Sequence, residues 1–484
     1  MRLVSLLAVG AFALGLDAYV TAGLLPEVAG DLGASIAATG QMVTAFTLAY
    51  ALASPLLAAL SSAGSERRQR RALLAALAVF ALANAGSALA PSLGALLATR
   101  AVAGAGAGLY LALAAAAAAA LVGPERRGRA LALLMGGMSS GTVIGVPVGV
   151  LVAEHTGWRA TLWMVAALGA AALAGLAGWL PHLRSGAATA PGPGARGTGP
   201  EACYTGGRGA ATERQPVAER QCMTERQRLS VRQRLSVLAD RRVAAVVGVS
   251  FLAAVASLGL YTYLAPLMAS PAMGGVEGIT PYLWAWGVGG VLGSVLVGQW
   301  VDRVRRPHVL VTGIMALLVV ALVALRPAAG LSPLVALAPL AVWGAVGWAL
   351  QVPQQHGLLA ARGARDGATA VALNESALYL GSAVGSGLGG LAFGLGWDAS
   401  VLPWCAAGFA LAGLLVHVAW GRRGPLYAGT PAEEAPAGEA TPTEARSGER
   451  PTGEARVGTA ASGTDPAKAT VTAAGSDGRC STGT

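Results

Sequence analysis

Long apolar runs separated by short polar connections make up most of this chain. Twelve such runs fall at about 4–25, 41–60, 72–90, 93–117, 129–153, 160–180, 243–268, 280–300, 308–325, 333–353, 368–395 and 399–420. Roughly twenty residues of helix cross the hydrocarbon layer, so each run predicts one membrane span. The runs are continuously apolar instead of alternating, which favours helices over barrel strands, because a helix satisfies its own backbone in lipid. Arg2 followed by about twenty apolar residues is too long for the core of a typical signal peptide, and further spans follow, so it reads as a retained first span. The expected fold class is an all-α integral membrane protein with twelve transmembrane helices, six on each side of a long polar interruption.

Composition and charge add an orientation. The 484 residues are 54% hydrophobic and 12% charged, with mean hydropathy +0.58, which excludes an ordinary soluble protein. The net charge of +10 is nearly all arginine, Lys468 being the sole lysine. Arg67, Arg68, Arg70 and Arg71 follow the second run, Arg126, Arg127 and Arg129 the fourth, Arg303, Arg305 and Arg306 the eighth, and Arg362 and Arg365 the tenth. The alternate connections are poorer, carrying mainly Glu27, Asp31, Glu154, Arg159, Glu277, Arg326 and Asp398. The positive-inside rule then places both termini and the central interruption in the cytoplasm of a multi-pass inner or plasma membrane protein. Cys203, Cys222, Cys405 and Cys480 have no paired spacing with one another or with histidine, so no metal site or disulfide framework is expected.

The interruption opens rich in Gly and Pro and then repeats a hexad, ERQPVA, ERQCMT, ERQRLS and VRQRLS, from Glu213. A period of six turns about 240° per repeat on a helix, so Val217, Met223, Leu229 and Leu235 form no single apolar stripe. This predicts an Arg-rich linker over 182–242 and not a folded domain, suited to anionic lipid or to a solvated tether. Residues 422–484 are rich in Gly, Ala, Pro, Thr and Glu without an apolar run, and predict a disordered cytoplasmic tail.

Within the spans, two kinds of position stand out. Residues 136–149 read GGMSSGTVIGVPVG. Gly137, Gly141, Gly145 and Gly149 share one helical face that admits a close neighbour, and Pro147 removes a donor and invites a kink. Gly381, Gly385 and Gly389, Ala45, Ala49 and Ala53, and Gly290, Gly293 and Ser294 make similar small-residue faces. The second kind is charge at depth, which demands a partner, a cavity or a task. Asp17 lies roughly 18 Å above the start of the first helix and Arg100 roughly 10 Å below the far end of the fourth, at similar depth. They are expected to face one cavity, with Arg100 tuning the protonation of Asp17; the alternative is a static ion pair. Glu375, beside Asn374, is a second candidate proton carrier or a hydrogen-bonding partner of a neighbouring helix. His356, beside Gln354 and Gln355, is a further titratable group, though a lone histidine at a helix end is usually solvated. Tyr50, Tyr110, Tyr261 and Tyr263, with Asn374, are the expected cavity wall, and Trp284, Trp286, Trp343 and Trp348 add aromatic surface for a pocket or for the membrane interface.

Several motifs carry a family resemblance. GQWVDRVRR at 298–306 holds Gly298, Asp302, Arg303, Arg305 and Arg306, a close-approach glycine beside a charge cluster that can latch helix ends. LLATRAVAGAGAG runs from Leu96 through Arg100, and the glycine series at 137–149 ends in Gly145-Val146-Pro147-Val148-Gly149. With GLDAYVTAGLLPEVAGDLG in the first run, GWRATLW from Gly157, YTYLAP from Tyr261 and ALNESALYLGSAVGSGLGG from Ala372, this order resembles the major facilitator superfamily. Within it, the chain is similar to the twelve-helix drug:proton antiporter branch that includes bacterial chloramphenicol and sugar-efflux transporters. The resemblance covers nearly all of residues 1–421. Two departures are the loop after the second run, which keeps its arginines without the Gly-x-x-x-Asp core, and the inserted Val146.

The resemblance implies two six-helix pseudo-symmetric bundles, an N-terminal one over 1–181 and a C-terminal one over 243–421. It also implies that the fifth helix meets the eighth and the second meets the eleventh, so that the small-residue faces would be the sliding seams of alternating access. The implied function is proton-coupled antiport exporting a small organic compound, drug-like or a metabolite. The energy source would be the proton gradient, with no cofactor, metal, catalytic residue or nucleic-acid partner; the partners would be substrate, protons and membrane lipid, and the protein a monomer. A sugar, nucleoside or amino-acid carrier of the same superfamily is the alternative. A membrane-embedded receptor or enzyme is more remote, because no HExxH pair, GxSxG elbow or Walker-type lysine loop is present.

Overall fold

The computed structural model describes residues 2–62, 66–122, 126–179, 239–276, 278–301 and 307–421, apart from the side chains of residues 2, 56–62, 66, 127–128, 301, 307, 360–368 and 421. Nearly all of the interruption, the tail, and Asp302, Arg303, Arg305 and Arg306 of the loop motif lie outside these residues.

The apolar runs fold as helices: α1 Arg2–Asp31, α2 Ile36–Ser62, α3 Glu66–Ala88 and α4 Leu93–Ala120. Three consecutive segments, Arg127–Ser140, Gly141–Gly145 and Val146–Thr156, make α5, and Trp158–Trp179 is α6. In the second half α7 is Arg241–Thr262, extended by Leu264–Ala269; α8 is Thr280–Val301, α9 Pro307–Leu331, α10 Leu337–Ala349, α11 Gln351–Gly394 and α12 Leu402–Gly421. Eleven helices among the described residues are each long and apolar enough to span a membrane. The tenth run falls short because α10 is 13 residues and ends in a turn at Leu350, where Pro353 cannot donate to the Ala349 carbonyl. Leu350 itself keeps helical torsions (φ −59, ψ −34), so the tenth span continues into α11. The 44 residues of α11 are in turn not one rod. Gln355 donates to Glu375 at 3.0 Å, although twenty residues of straight helix rise about 30 Å. The chain therefore doubles back between them, and twelve spans result.

These helices sort into two bundles. In the first, α1 packs on α5 and α6, α2 on α4, and α3 on α4 and α6; in the second, α7 packs on α11 and α12, α8 on α10, and α9 on α10 and α12. The halves meet where α2 lies along α11 and α5 touches α8.

The glycine faces do not lie on those seams, which corrects the expectation above. A Cβ at Gly137 would sit 2.3 Å from the Ala8 carbonyl oxygen, and one at Gly141 2.1 Å from that of Phe12. At Gly145 and Gly149 it would meet the side chains of Leu16 and Val20. The stripe thus packs on α1 inside the first bundle, backbone to backbone at Gly137 and Gly141 and against side chains at Gly145 and Gly149. Gly293 likewise faces Ala345 and Gly290 faces Trp348 of the tenth span, and Gly381 and Gly385 face α7 at Phe251 and Val255. These glycines hold helices together within a half, where dispersion contacts reward the closest approach. The kink expected at Pro147 takes the form of a π-helical turn at Gly141–Gly145. Val146 donates to Gly141, one residue further back than in an α-helix, which accommodates the carbonyl that Pro147 cannot serve.

Candidate functional site

Asp17 and Arg100 meet as their matched depths predict. Arg100 Nη1 donates to Asp17 Oδ1 at 2.6 Å and to Asn84 Oδ1 at 3.1 Å; Asn84 Nδ2 donates to Asp17 Oδ2 at 3.1 Å. The guanidinium lies 4.5 Å over the Phe46 ring. Asp17 and Arg100 are 0% and 1% exposed, sealed between α1, α3 and α4. They line none of the described cavities, contrary to expectation. Helical rotation explains this: Tyr19, which does reach the cavity between the halves, is two residues and about 200° away from Asp17. Asn84 escaped the sequence reading, although it is an isolated amide in the third apolar run.

The cavity between the halves has a volume of about 280 Å³. Its wall combines Tyr19, Trp286, Trp348 and Tyr379 with Gln351, Gln354, Gln355 and Glu375. Glu375 and Tyr379 share a face of α11 one turn apart. Met135, Met138, Ser139, Ser250, Ser257 and Ser294 complete much of the remainder. Among the described lining residues Glu375 carries the sole formal charge. It is half-buried and accepts from Gln355. Gln354 Oε1 accepts from Ser250 at 2.7 Å, and Trp343 Nε1 donates to Ser257 at 2.7 Å behind the wall.

None of the five residues expected as cavity wall is among those lining this space, although Tyr261 lines the smaller cavity beside it with Tyr19 and Tyr379. Tyr110 is buried within the first bundle, where its hydroxyl donates to the Leu7 carbonyl at 2.9 Å and its ring fills the room left by Gly10. Tyr50 stacks on Tyr379 across the α2–α11 seam, ring centroids 3.7 Å apart. Tyr261 packs 4.3 Å from Trp286 and closes the roof with Tyr19. Tyr263 reaches into the same seam, donating to the Ser386 carbonyl at 2.7 Å, with its hydroxyl against Gly40. Asn374 is fully buried with neither amide atom partnered. Tyr263 and Cys405 also line a separate apolar cavity between α7, α11 and α12, among lining residues that carry no charge.

The seam is closed toward the side opposite the Arg-rich connections. There Thr44 and Ser386 hydrogen-bond at 2.8 Å, and Thr280 at the start of α8 donates to Glu154 at the end of α5 at 3.0 Å. Gln41 lies where a Cβ on Gly390 would sit. From the aromatic roof the cavity extends toward the Arg-rich side, to Met135, Ser250 and Gln355. Gly298 of the loop motif lies on that side, with open space at its Cα. The arrangement is a chamber between two bundles, closed at one end, with a smaller cavity beside it lined by Tyr19, Tyr261 and Tyr379.

Comparison with known proteins agrees with this geometry. The family model described as Major Facilitator Superfamily matches residues 7–386. The inner membrane transport protein YdhP of Escherichia coli K12 is 28% identical over 420 residues, 87% of this chain and 96% of that one. The uncharacterized MFS-type transporter YbcL of Bacillus subtilis is 27% identical over 388 residues, covering 80% and 87%. A chloramphenicol resistance protein of Streptomyces lividans is 36% identical over 188 residues, 39% of this chain and 47% of that protein. Among solved structures, the partially occluded inward open xylose transporter XylE of E. coli superposes with a TM-score of 0.62 at 16% identity, covering 86% of this chain and 98% of its own.

Proposed function

From its membership of the Major Facilitator Superfamily, to which this chain belongs, we propose that it is a proton-coupled antiporter exporting a small organic compound. Family membership makes it a multi-pass membrane transporter and a carrier, not an enzyme. The observation that carries the finer reading is Glu375, the sole charged side chain among the described residues of the chamber wall. A carboxyl group in that position holds a proton or faces a cargo, and competition between the two couples their movements. The Asp17–Arg100–Asn84 cluster serves as a structural brace in this arrangement, its carboxylate already occupied by two donors. With the Arg-rich side cytoplasmic, the chamber takes up cargo from the cytoplasm, and rocking of the bundles about the α2–α11 and α5–α8 seams releases it outside. The proton gradient supplies the energy without a cofactor, and one chain suffices because the chamber is complete within it.

A second reading, a carrier for a sugar or related polar metabolite, is favoured by three glutamines, one glutamate and four serines on the same wall. Everted membrane vesicles separate the readings. An imposed proton gradient, acid inside, is expected to drive uptake of a drug-like cargo, and Glu375→Gln to abolish that dependence while leaving cargo exchange without a gradient intact. Uptake that an ionophore leaves unchanged refutes the coupling.

A further inference from the structure

The chamber wall holds polar atoms that the protein itself leaves unpaired. Trp286 Nε1, Gln354 Nε2 and Gln351 Oε1 are buried and have no partner, and all three side chains line the chamber. Their neighbours are satisfied. Trp343, whose ring centroid lies 6.4 Å from that of Trp286, donates its Nε1 to Ser257, and the Gln354 carbonyl accepts from Ser250. The amide nitrogen of Gln354 and the indole nitrogen of Trp286 therefore remain as two donors. Surrounding lipid offers no acceptor at this depth, and buried donors in a folded protein are ordinarily paired.

We propose that these two donors select the cargo: an aromatic compound bearing carbonyl or hydroxyl oxygens and no anionic group. Trp348, Tyr19 and Tyr379 supply ring surface for the aromatic part. The anionic group is excluded because the described wall contains Glu375 and no arginine, lysine or histidine. A carboxylate entering this space meets a like charge in a low-dielectric site and finds no cation to offset its lost hydration. The assignment rests on the transporter reading above and refines it to a cargo class and two selecting residues.

The test is equilibrium binding to the purified full chain in detergent, with radiolabelled chloramphenicol and its succinate ester as an uncharged and anionic pair, and with xylose as a ring-free polyol. Chloramphenicol is expected to bind at least about tenfold more tightly than the ester or xylose. Trp286→Phe, which keeps the ring and removes the donor, and Gln354→Leu are each expected to weaken it about threefold to tenfold. Melting of the ligand-free variants, followed in parallel, distinguishes lost selection from lost fold. If a variant melts early, Gln354→Met replaces Gln354→Leu, and competition by a non-aromatic amide replaces Trp286→Phe. Equal binding of the ester, preference for xylose, undiminished affinity in both variants, or no binding of chloramphenicol each overturns the cargo assignment. Gradient-driven uptake of any other compound in the vesicle assay keeps the antiporter reading, so the two fail separately.

Discussion

Asp17 and Glu375 are both carboxylates deep in apolar helices, yet they meet opposite fates. Asp17 turns into its own bundle, where Arg100 and Asn84 occupy both of its oxygens. Glu375 turns outward to the chamber, where the neutral amide of Gln355 donates to it. Depth in the membrane is similar information for both. Rotation about the helix axis separates a carboxylate locked within its bundle from one that faces the chamber, and 200° between Asp17 and Tyr19 is enough to decide it.

The largest expected effect tests the brace. Arg100→Leu leaves Asp17 buried without its cation, and should lower the stability of the solubilised protein by about 3–5 kcal/mol, read as loss of monodisperse material and early melting. Asp17→Asn combined with Arg100→Leu should recover part of that loss. A mild phenotype for Arg100→Leu alone would mean that the cluster opens to water during transport and belongs with the chamber. Next comes the α1–α5 weld. Gly141→Ala places a methyl 2.1 Å from the Phe12 carbonyl, forcing the helices apart at a cost of about 1–3 kcal/mol. At Gly145 the nearest atoms are side-chain carbons of Leu16, from 3.1 Å, so Gly145→Ala should cost less than Gly141→Ala. Glu375→Gln should change melting by less than about 1 kcal/mol, because an amide retains a hydrogen bond with Gln355, while removing gradient dependence. The contrast with Arg100→Leu is the sharpest separation of the two carboxylates.

Much of this was legible in the chain. Continuous apolar runs gave the helices, and the depth of Asp17 and Arg100 predicted their meeting. The faces were not legible. The sequence order that resembles a family places the fifth helix beside the eighth, but a stripe of glycines does not say which neighbour it faces, and here it faces α1. The same ambiguity moved the wall from Tyr110 and Tyr50 to Tyr19 and Tyr379. Each aromatic side chain is equally plausible until the rotation of its helix is known, and that rotation is fixed by packing between residues far apart in the chain. One sign was available: Glu375 and Tyr379 are one turn apart, and a wall containing the first contains the second.

The smallest effect discriminates between the welds and the seams. Gly287 of α8 faces α5 across the halves, and a Cβ there would lie 3.6 Å from Val143 Cα and 3.7 Å from its carbonyl oxygen, ordinary contact distances. Gly287→Ala should therefore leave melting unchanged within about 0.5 kcal/mol, the range of surface substitutions. It should also leave the transport rate within about twofold, since about 1.4 kcal/mol of barrier is needed for tenfold. Gly287→Leu extends further than this gap admits and, under the proposed rocking of the bundles, should slow exchange without early melting, because surfaces that part in such a cycle need not bear on one another in the folded halves. If Gly287→Ala instead destabilises the protein as much as Gly141→Ala, the α5–α8 contact is a weld like the α1–α5 contact. The halves then do not part at that line, and the moving surface must be sought along α2 and α11 alone.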